Sequence, residues 1–104
     1  MRDKSKRYEV IVDDSAKEAL EKHVEFLAQV SHSAAVRLVD DIEKGFESLE
    51  FMPARCPLFI AGKTGDTYRR LIVAGRYQLV FTFNEEEGIV DIRYILDSRQ
   101  DSTI

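Results

Sequence analysis

Tyr68-Arg69-Arg70-Leu71-Ile72-Val73-Ala74-Gly75-Arg76-Tyr77-Gln78-Leu79-Val80-Phe81-Thr82-Phe83, followed by residues 89–101, is the stretch on which the fold turns. Within it Tyr77, Leu79, Phe81 and Phe83 alternate strictly with Arg76, Gln78, Val80 and Thr82. That two-residue period marks a strand with one face in a core. Ala74-Gly75 supplies a tight turn after a strand over residues 68–73, and Asn84-Glu85-Glu86-Glu87-Gly88 supplies another before a last strand over residues 89–96. In that last strand Val90, Ile92, Tyr94 and Leu96 are expected inward, opposite Asp91, Arg93 and Ile95. The three strands read as an antiparallel meander.

Arg69, Arg70, Arg76, Arg93 and Arg99 are set among these apolar positions. Guanidinium forks pair with phosphates and carboxylates alike, so the strands are expected to present an anion-binding face. The competing reading pairs the same arginines with Asp91, Asp97, Asp101 and Glu85 to Glu87 as surface ion pairs, which contribute little to stability.

The preceding residues supply the other layer. Tyr8, Val10 and Val12 alternate with Glu9 and Ile11, a first strand over residues 7–12. Ser15-Ala16-Lys17-Glu18 matches a capping box, and Ala16, Ala19, Leu20, Val24 and Leu27 then recur at helical spacing to about Gln29. Ser31-His32-Ser33 breaks the pattern, with Ser33 expected to cap a second helix over residues 34–49. Its stripe is Ala35, Leu38, Val39, Ile42, Phe46 and Leu49, with Gly45 inside it. So short a link predicts an antiparallel helical hairpin. Residues 53–67 hold two prolines and two glycines and read as a long loop with a short strand at Leu58-Phe59-Ile60. The fold class is α+β: an N-terminal strand and a helical hairpin packed on one face of an antiparallel sheet.

The chain has 104 residues, 44% hydrophobic and 33% charged, which predicts one domain with its core over residues 7–101 and a basic tail at 1–6. The formal net charge is −4, and it is unevenly placed. Residues 1–8 are basic, residues 9–51 strongly acidic, and residues 52–104 balanced. An acidic middle argues against coating generic nucleic acid, whose affinity comes from phosphate neutralisation. No run approaches the ~18 apolar residues of a membrane span, and the first residues lack the apolar core of a signal peptide, so a cytoplasmic protein is expected. Cys56 is the only cysteine and is read as a packing residue. With two histidines and that one thiol, no metal site is expected, and no cofactor. His23 is read as a packed or half-exposed helix residue and His32 as a solvated turn residue.

The order of elements, with Tyr68-Arg69-Arg70-Leu71, Gly75-Arg76-Tyr77-Gln78-Leu79-Val80-Phe81 and Arg93-Tyr94-Ile95-Leu96-Asp97-Ser98-Arg99-Gln100-Asp101, resembles the RelE/ParE family of bacterial toxin–antitoxin toxins over residues 7–101. The resemblance implies a toxin, of the kind associated with plasmid stabilisation and growth inhibition, neutralised by a cognate antitoxin. RelE-like members cleave mRNA in the ribosomal A site, whereas ParE-like members inhibit DNA gyrase, so the fold leaves two targets open.

Carried over by position, Arg69 or Arg70 takes the first basic place of the nuclease branch and Arg99 the basic place after the last strand. Gln78 stands where that branch often has an arginine, and Asp97 where many relatives have a histidine. The C-terminal tyrosine of some ribonucleases has no counterpart. As a RelE-like ribonuclease the chain would use Arg69, Arg70 and Arg99 on the phosphate, with Asp97 or Tyr94 for proton transfer. The tail pattern Leu96-x-x-Arg99-x-Asp101 is nearer the ParE branch, which makes a ParE-like toxin that binds a protein target the leading expectation. Arg76, Gln78 and Arg93 would then face the target. Glu43, Glu47 and Glu50, at helical spacing, would meet basic residues of the antitoxin. A detoxified, partner-binding member of the family is the third reading.

Overall fold

The computed structural model describes residues 6–61 and 66–99. The elements run β1 (Glu9–Val12), α1 (Asp14–Val30), α2 (His32–Ser48), a 3-10 turn at Pro53–Arg55, β2 (Leu58–Ala61), β3 (Asp66–Val73), β4 (Tyr77–Asn84) and β5 (Ile89–Asp97). The basic tail expected at 1–6, the glycines of the expected loop at 62 and 65, and the end of the tail pattern at Asp101 lie outside the described residues, apart from Lys6.

The strands form one five-stranded sheet in the order β1-β5-β4-β3-β2. From β2 to β5 the pairing is antiparallel, as the alternation and the turns predict. The expectation of an antiparallel sheet fails at one edge, where β1 lies parallel to β5, with Glu9 opposite Ile89 and Val12 opposite Ile92. The sheet is therefore mixed. Parallel neighbours need a crossover rather than a tight turn, and the helical hairpin is part of that crossover.

The two helices are joined by Ser31 alone. It closes α1 through its amide, which donates to the Leu27 carbonyl at 2.8 Å, and it opens α2 through its Oγ, which accepts from the Ala34 amide at 3.2 Å. The expected caps at Ser15 and Ser33 are corrected accordingly. Ser15 lies inside α1, whose N-cap is Asp13, and the first turn of α2 begins at His32. Both shifts follow from chain geometry: β1 hands directly into α1, so the first residue with extended backbone before the helix is Asp13.

Ala16 of α1, Leu38 and Ile42 of α2, and Leu49 at its C-cap bury against Leu79, Phe81, Val90, Ile92 and Ile95 of the sheet. At ~1.5–3 kcal/mol for each fully buried aliphatic or aromatic side chain, this layer dominates the stability of the fold. Gly45 is the point of closest approach: a Cβ there would lie 2.9 Å from Val73 Cγ2 and 3.0 Å from Leu79 Cδ1. The glycine inside the helix thus serves close helix–sheet packing. At the β3–β4 turn Ala74 and Gly75 both have positive φ, 56° and 65°, and the Arg76 amide closes the turn on the Val73 carbonyl at 3.1 Å.

β5 departs from simple alternation. Val80 of β4 pairs with Tyr94 and Phe81 with Ile92, so Arg93 is an extra residue, a β-bulge. Before it, Val90 and Ile92 face the helices. After it, Ile95 takes that side, while Tyr94 and Leu96 turn to the opposite face and pack with Tyr68, Val80 and Phe59. The expectation that Tyr94 and Leu96 point inward and Ile95 outward is reversed, because one inserted residue exchanges the faces of every position after it. Central strand β4 is buried from Tyr77 to Phe81 on both faces.

Candidate functional site

The bulge and the register disperse the arginines that the sequence set side by side. Arg76, in the β3–β4 turn, reaches the helix-side end of β5 and grips Asp97 through two parallel bonds, Nε to Oδ1 at 3.1 Å and Nη2 to Oδ2 at 2.8 Å. Asp97 is buried, 4% exposed, and also accepts from the Arg99 backbone amide at 3.0 Å. The Arg76 guanidinium holds the Asp97 carboxyl below its ordinary range and outweighs burial, which opposes it; the Arg99 amide adds to the lowering. A carboxylate fixed in this way stays ionised near neutrality and orders a turn. It is poorly suited to exchanging a proton.

Arg93, on the bulge, pairs with Asp13 at the start of α1 at 3.1 Å. Arg69 points to the helix side, where Nη1 donates to the Cys56 carbonyl at 2.6 Å and the guanidinium lies over the Phe83 ring at 5.8 Å. It thereby pins the loop that carries Cys56. That thiol sits in the core, and burial pushes its pKa up, so it is a packing group. Arg99 is exposed, with Nε 4.0 Å from Asp97.

Arg70 alone of the five lies on the open face of the sheet, away from the helices. Its Nη1 donates to Gln78 Oε1 at 3.0 Å, and its Cζ lies 5.7 Å from the centroid of the Phe59 ring. The open face is floored by Tyr68, Val80, Tyr94 and Leu96. Tyr68 and Tyr94 meet edge to face at 5.8 Å. The expected arginine face therefore reduces to one arginine and Gln78 over an apolar floor. Arg76 is committed to Asp97, a partner that the ion-pair reading names, and Arg93 to Asp13, which it does not.

A second surface lies along the free edge of β1. A groove of about 510 Å³ runs between this strand and the end of α2, with Val10, Val12 and Phe46 on its apolar wall and Arg7, Glu47 and Glu50 at its rim. Glu50 is held by Arg7 at 2.8 Å, and its carbonyl accepts from the Tyr8 amide at 2.7 Å. Glu43 and Glu47 are exposed and carry no ion pair among the described residues. The glutamates expected to form one acidic stripe thus divide into one neutralised and two open charges.

Sequence reasoning missed the Asp13–Arg93 pair and this groove, since both depend on where β1 lands. It also passed over Phe26, Val30 and Val36, which are 60%, 75% and 56% exposed on the helical hairpin. A signal existed: Phe26 and Val30 are four residues apart, off the apolar stripe that faces the sheet. His23 is half-buried, with Nε2 3.2 Å from the Ile95 carbonyl and its ring 5.4 Å from that of Tyr77. His32 is the exposed first residue of α2 rather than a turn residue. No helix among the described residues is long and apolar enough to cross a membrane.

A strand leading into a helical hairpin, then an antiparallel meander, is the element order of a RelE/ParE-like α+β fold. A family profile described as "ParE toxin of type II toxin-antitoxin system, parDE" matches residues 10–102, and the chain belongs to that family. No curated protein matches the chain. Membership in a type II toxin family implies a cognate antitoxin as partner.

Proposed function

We propose that this ParE-family toxin arrests growth by binding a protein target, DNA gyrase, and not by cleaving RNA. The observation that carries this reading is the state of Asp97. The one carboxylate in the place of a nuclease proton-transfer group is buried, doubly bonded to Arg76 and held ionised. Catalysis of phosphodiester cleavage needs both a group able to exchange a proton and cations gathered on one phosphate. Here Arg69 and Arg70 project from opposite faces of β3, and Arg99 lies beyond the end of β5. The alternation of the strand forces that separation. A binding surface on the open face needs no such convergence, and Arg70, the exposed Ile72 and the partly buried Tyr94 give it arginine, apolar and aromatic contacts of the kind found in protein interfaces.

The antitoxin is placed on the other side, along β1 and the acidic helical hairpin. The Glu9 amide donates to the Gly88 carbonyl and the Asp13 amide to the Ile92 carbonyl, so Val10 and Val12 between them turn their backbone groups outward. A free edge of this kind accepts an added strand, and the adjoining apolar groove accepts side chains from it. Basic residues of that segment would meet Glu43 and Glu47.

A supercoiling assay with purified toxin and DNA gyrase is the direct test. Inhibition at micromolar toxin is expected, with no codon-phased cuts by primer extension on a translated message. Uninhibited supercoiling beside phased cuts would overturn the reading.

A further inference from the structure

The arginine on the open face is held differently from the others. Arg76 offers its Nε–Nη2 edge to both oxygens of Asp97. In Arg70 the opposite nitrogen, Nη1, is tied to Gln78 Oε1, and the aromatic ring of Phe59 lies beneath the guanidinium. These two contacts fix the plane of the fork. Its Nε is shielded from water and has no hydrogen-bond acceptor. Among the described residues the same Nε–Nη2 edge that Arg76 fills is empty in Arg70. A shielded N–H without an acceptor is unfavourable, and buried donors in folded proteins almost always find one.

We propose that this edge takes the carboxylate of an aspartate or glutamate side chain on a protein that docks on the open face of the sheet. The inference rests on the protein-target reading above and names the chemistry of the contact. Three features select the ligand. The preset fork matches a planar carboxylate with two parallel bonds, as Arg76 and Asp97 demonstrate in the same molecule. The surroundings are apolar and aromatic: Tyr68, Val80, Tyr94 and Leu96, with Ile72 47% exposed beside them. Tyr68 and Val80 are buried beneath, so the surface a partner meets beside the arginine is Ile72 with the partly buried Tyr94 and Leu96, and arginine next to apolar and aromatic groups is a common interface anchor. Strand alternation also turns Glu9 and Asp91 to this face, since Val10, Val90 and Ile92 face the helices. Two negative charges there repel a nucleic-acid backbone and leave Arg70 to a single acidic group.

The shading of Nε adds a requirement. The groups that shield Nε must shift for the edge to be reached, which a docked segment achieves through its own apolar contacts and a free anion does not. The acidic residue is therefore expected next to a bulky apolar one.

The test is a selection of random dodecapeptides displayed on phage against the immobilised protein, run in parallel on wild type, Arg70→Lys and Gln78→Leu. Peptides enriched on wild type should share an acidic residue beside an apolar one. They should bind Arg70→Lys, which keeps the charge and loses the fork, at least tenfold more weakly, and Gln78→Leu by a smaller factor. An enriched set without an acidic residue, or one that binds Arg70→Lys as well as wild type, overturns the proposal. So does displacement of the peptides by millimolar inorganic phosphate, which would make the edge a general anion site. Should Arg70→Lys lose its cooperative thermal transition, Ile72→Asp replaces it. It leaves the fork intact and should abolish capture by repelling the acidic segment; undiminished capture overturns the proposal. Growth arrest on overexpression of wild type reads the toxin question separately. A harmless wild type removes the toxin reading and leaves the peptide result standing, and peptide failure beside clear arrest removes only the role of Arg70.

Discussion

Asp97 and Arg76 are joined by two parallel hydrogen bonds across the ends of the turn and of β5, and this one pair decides the chemistry of the region. It orders the β3–β4 turn against the last strand, occupies the Asp97 carboxylate, and removes Arg76 from any anion-binding face. The Ser98 amide, which donates to the Arg76 carbonyl at 2.8 Å, ties the same two segments through the backbone.

The pair gives stability a defined pH dependence. A carboxyl whose folded pKa is lowered contributes fully above its unfolded value near ~3.9, and the contribution is lost as pH falls through the folded value. Asp97→Asn is expected to lower stability at pH 7 by about 2 kcal/mol, since it leaves a partly buried guanidinium with a neutral partner. Urea denaturation should show the gap between variant and wild type closing below pH 4. A gap independent of pH would contradict the assignment.

Gly45 should not tolerate a methyl group. Gly to Ala inside a helix gains up to ~1 kcal/mol from propensity. Here the added Cβ would meet Val73 Cγ2 at 2.9 Å, and overpacking of this kind costs roughly 1–3 kcal/mol. Gly45→Ala is expected to lower the melting temperature. Adding Val73→Ala to Gly45→Ala should cost less than Val73→Ala does in the wild-type background, because the cavity then receives the methyl.

The caps can be separated by three single substitutions. Ser31→Ala removes the acceptor of the Ala34 amide and is expected to cost ~1 kcal/mol. Ser15→Ala, inside α1, and Ser33→Ala should each stay within ~0.5 kcal/mol. Equal losses at Ser15 and Ser31 would contradict the helix boundaries.

Glu47→Lys reverses an open charge at the rim of the β1 groove. With the cognate antitoxin it should weaken binding roughly fivefold at low salt, mostly through association rate, and the difference should shrink as ionic strength rises. Glu50→Gln should have less effect on binding, because Arg7 already neutralises that carboxylate. If Glu47→Lys binds as wild type does at low salt, the antitoxin does not use this rim.

Much of the fold was legible locally. The alternation of Tyr77, Leu79, Phe81 and Phe83, the turns at Ala74-Gly75 and Gly88, and the helical stripes ending in Leu38, Ile42 and Leu49 each encode a period or a backbone requirement within a few residues. Those signals sufficed for element order, for most of the core, and for the family that the profile over residues 10–102 identifies. The site was less legible, because side chains adjacent in sequence need not share a surface.

The sequence by itself therefore determined the strands, the helical hairpin and which faces are apolar, because periodicity and turn chemistry are properties of neighbouring residues. Only the tertiary structure decided that β1 joins β5 in parallel, that Arg93 bulges and sends Tyr94 and Leu96 to the open face, and which carboxylate each arginine meets. These outcomes depend on the register between distant segments. A shift of one residue there exchanges the faces of a strand without changing any local pattern.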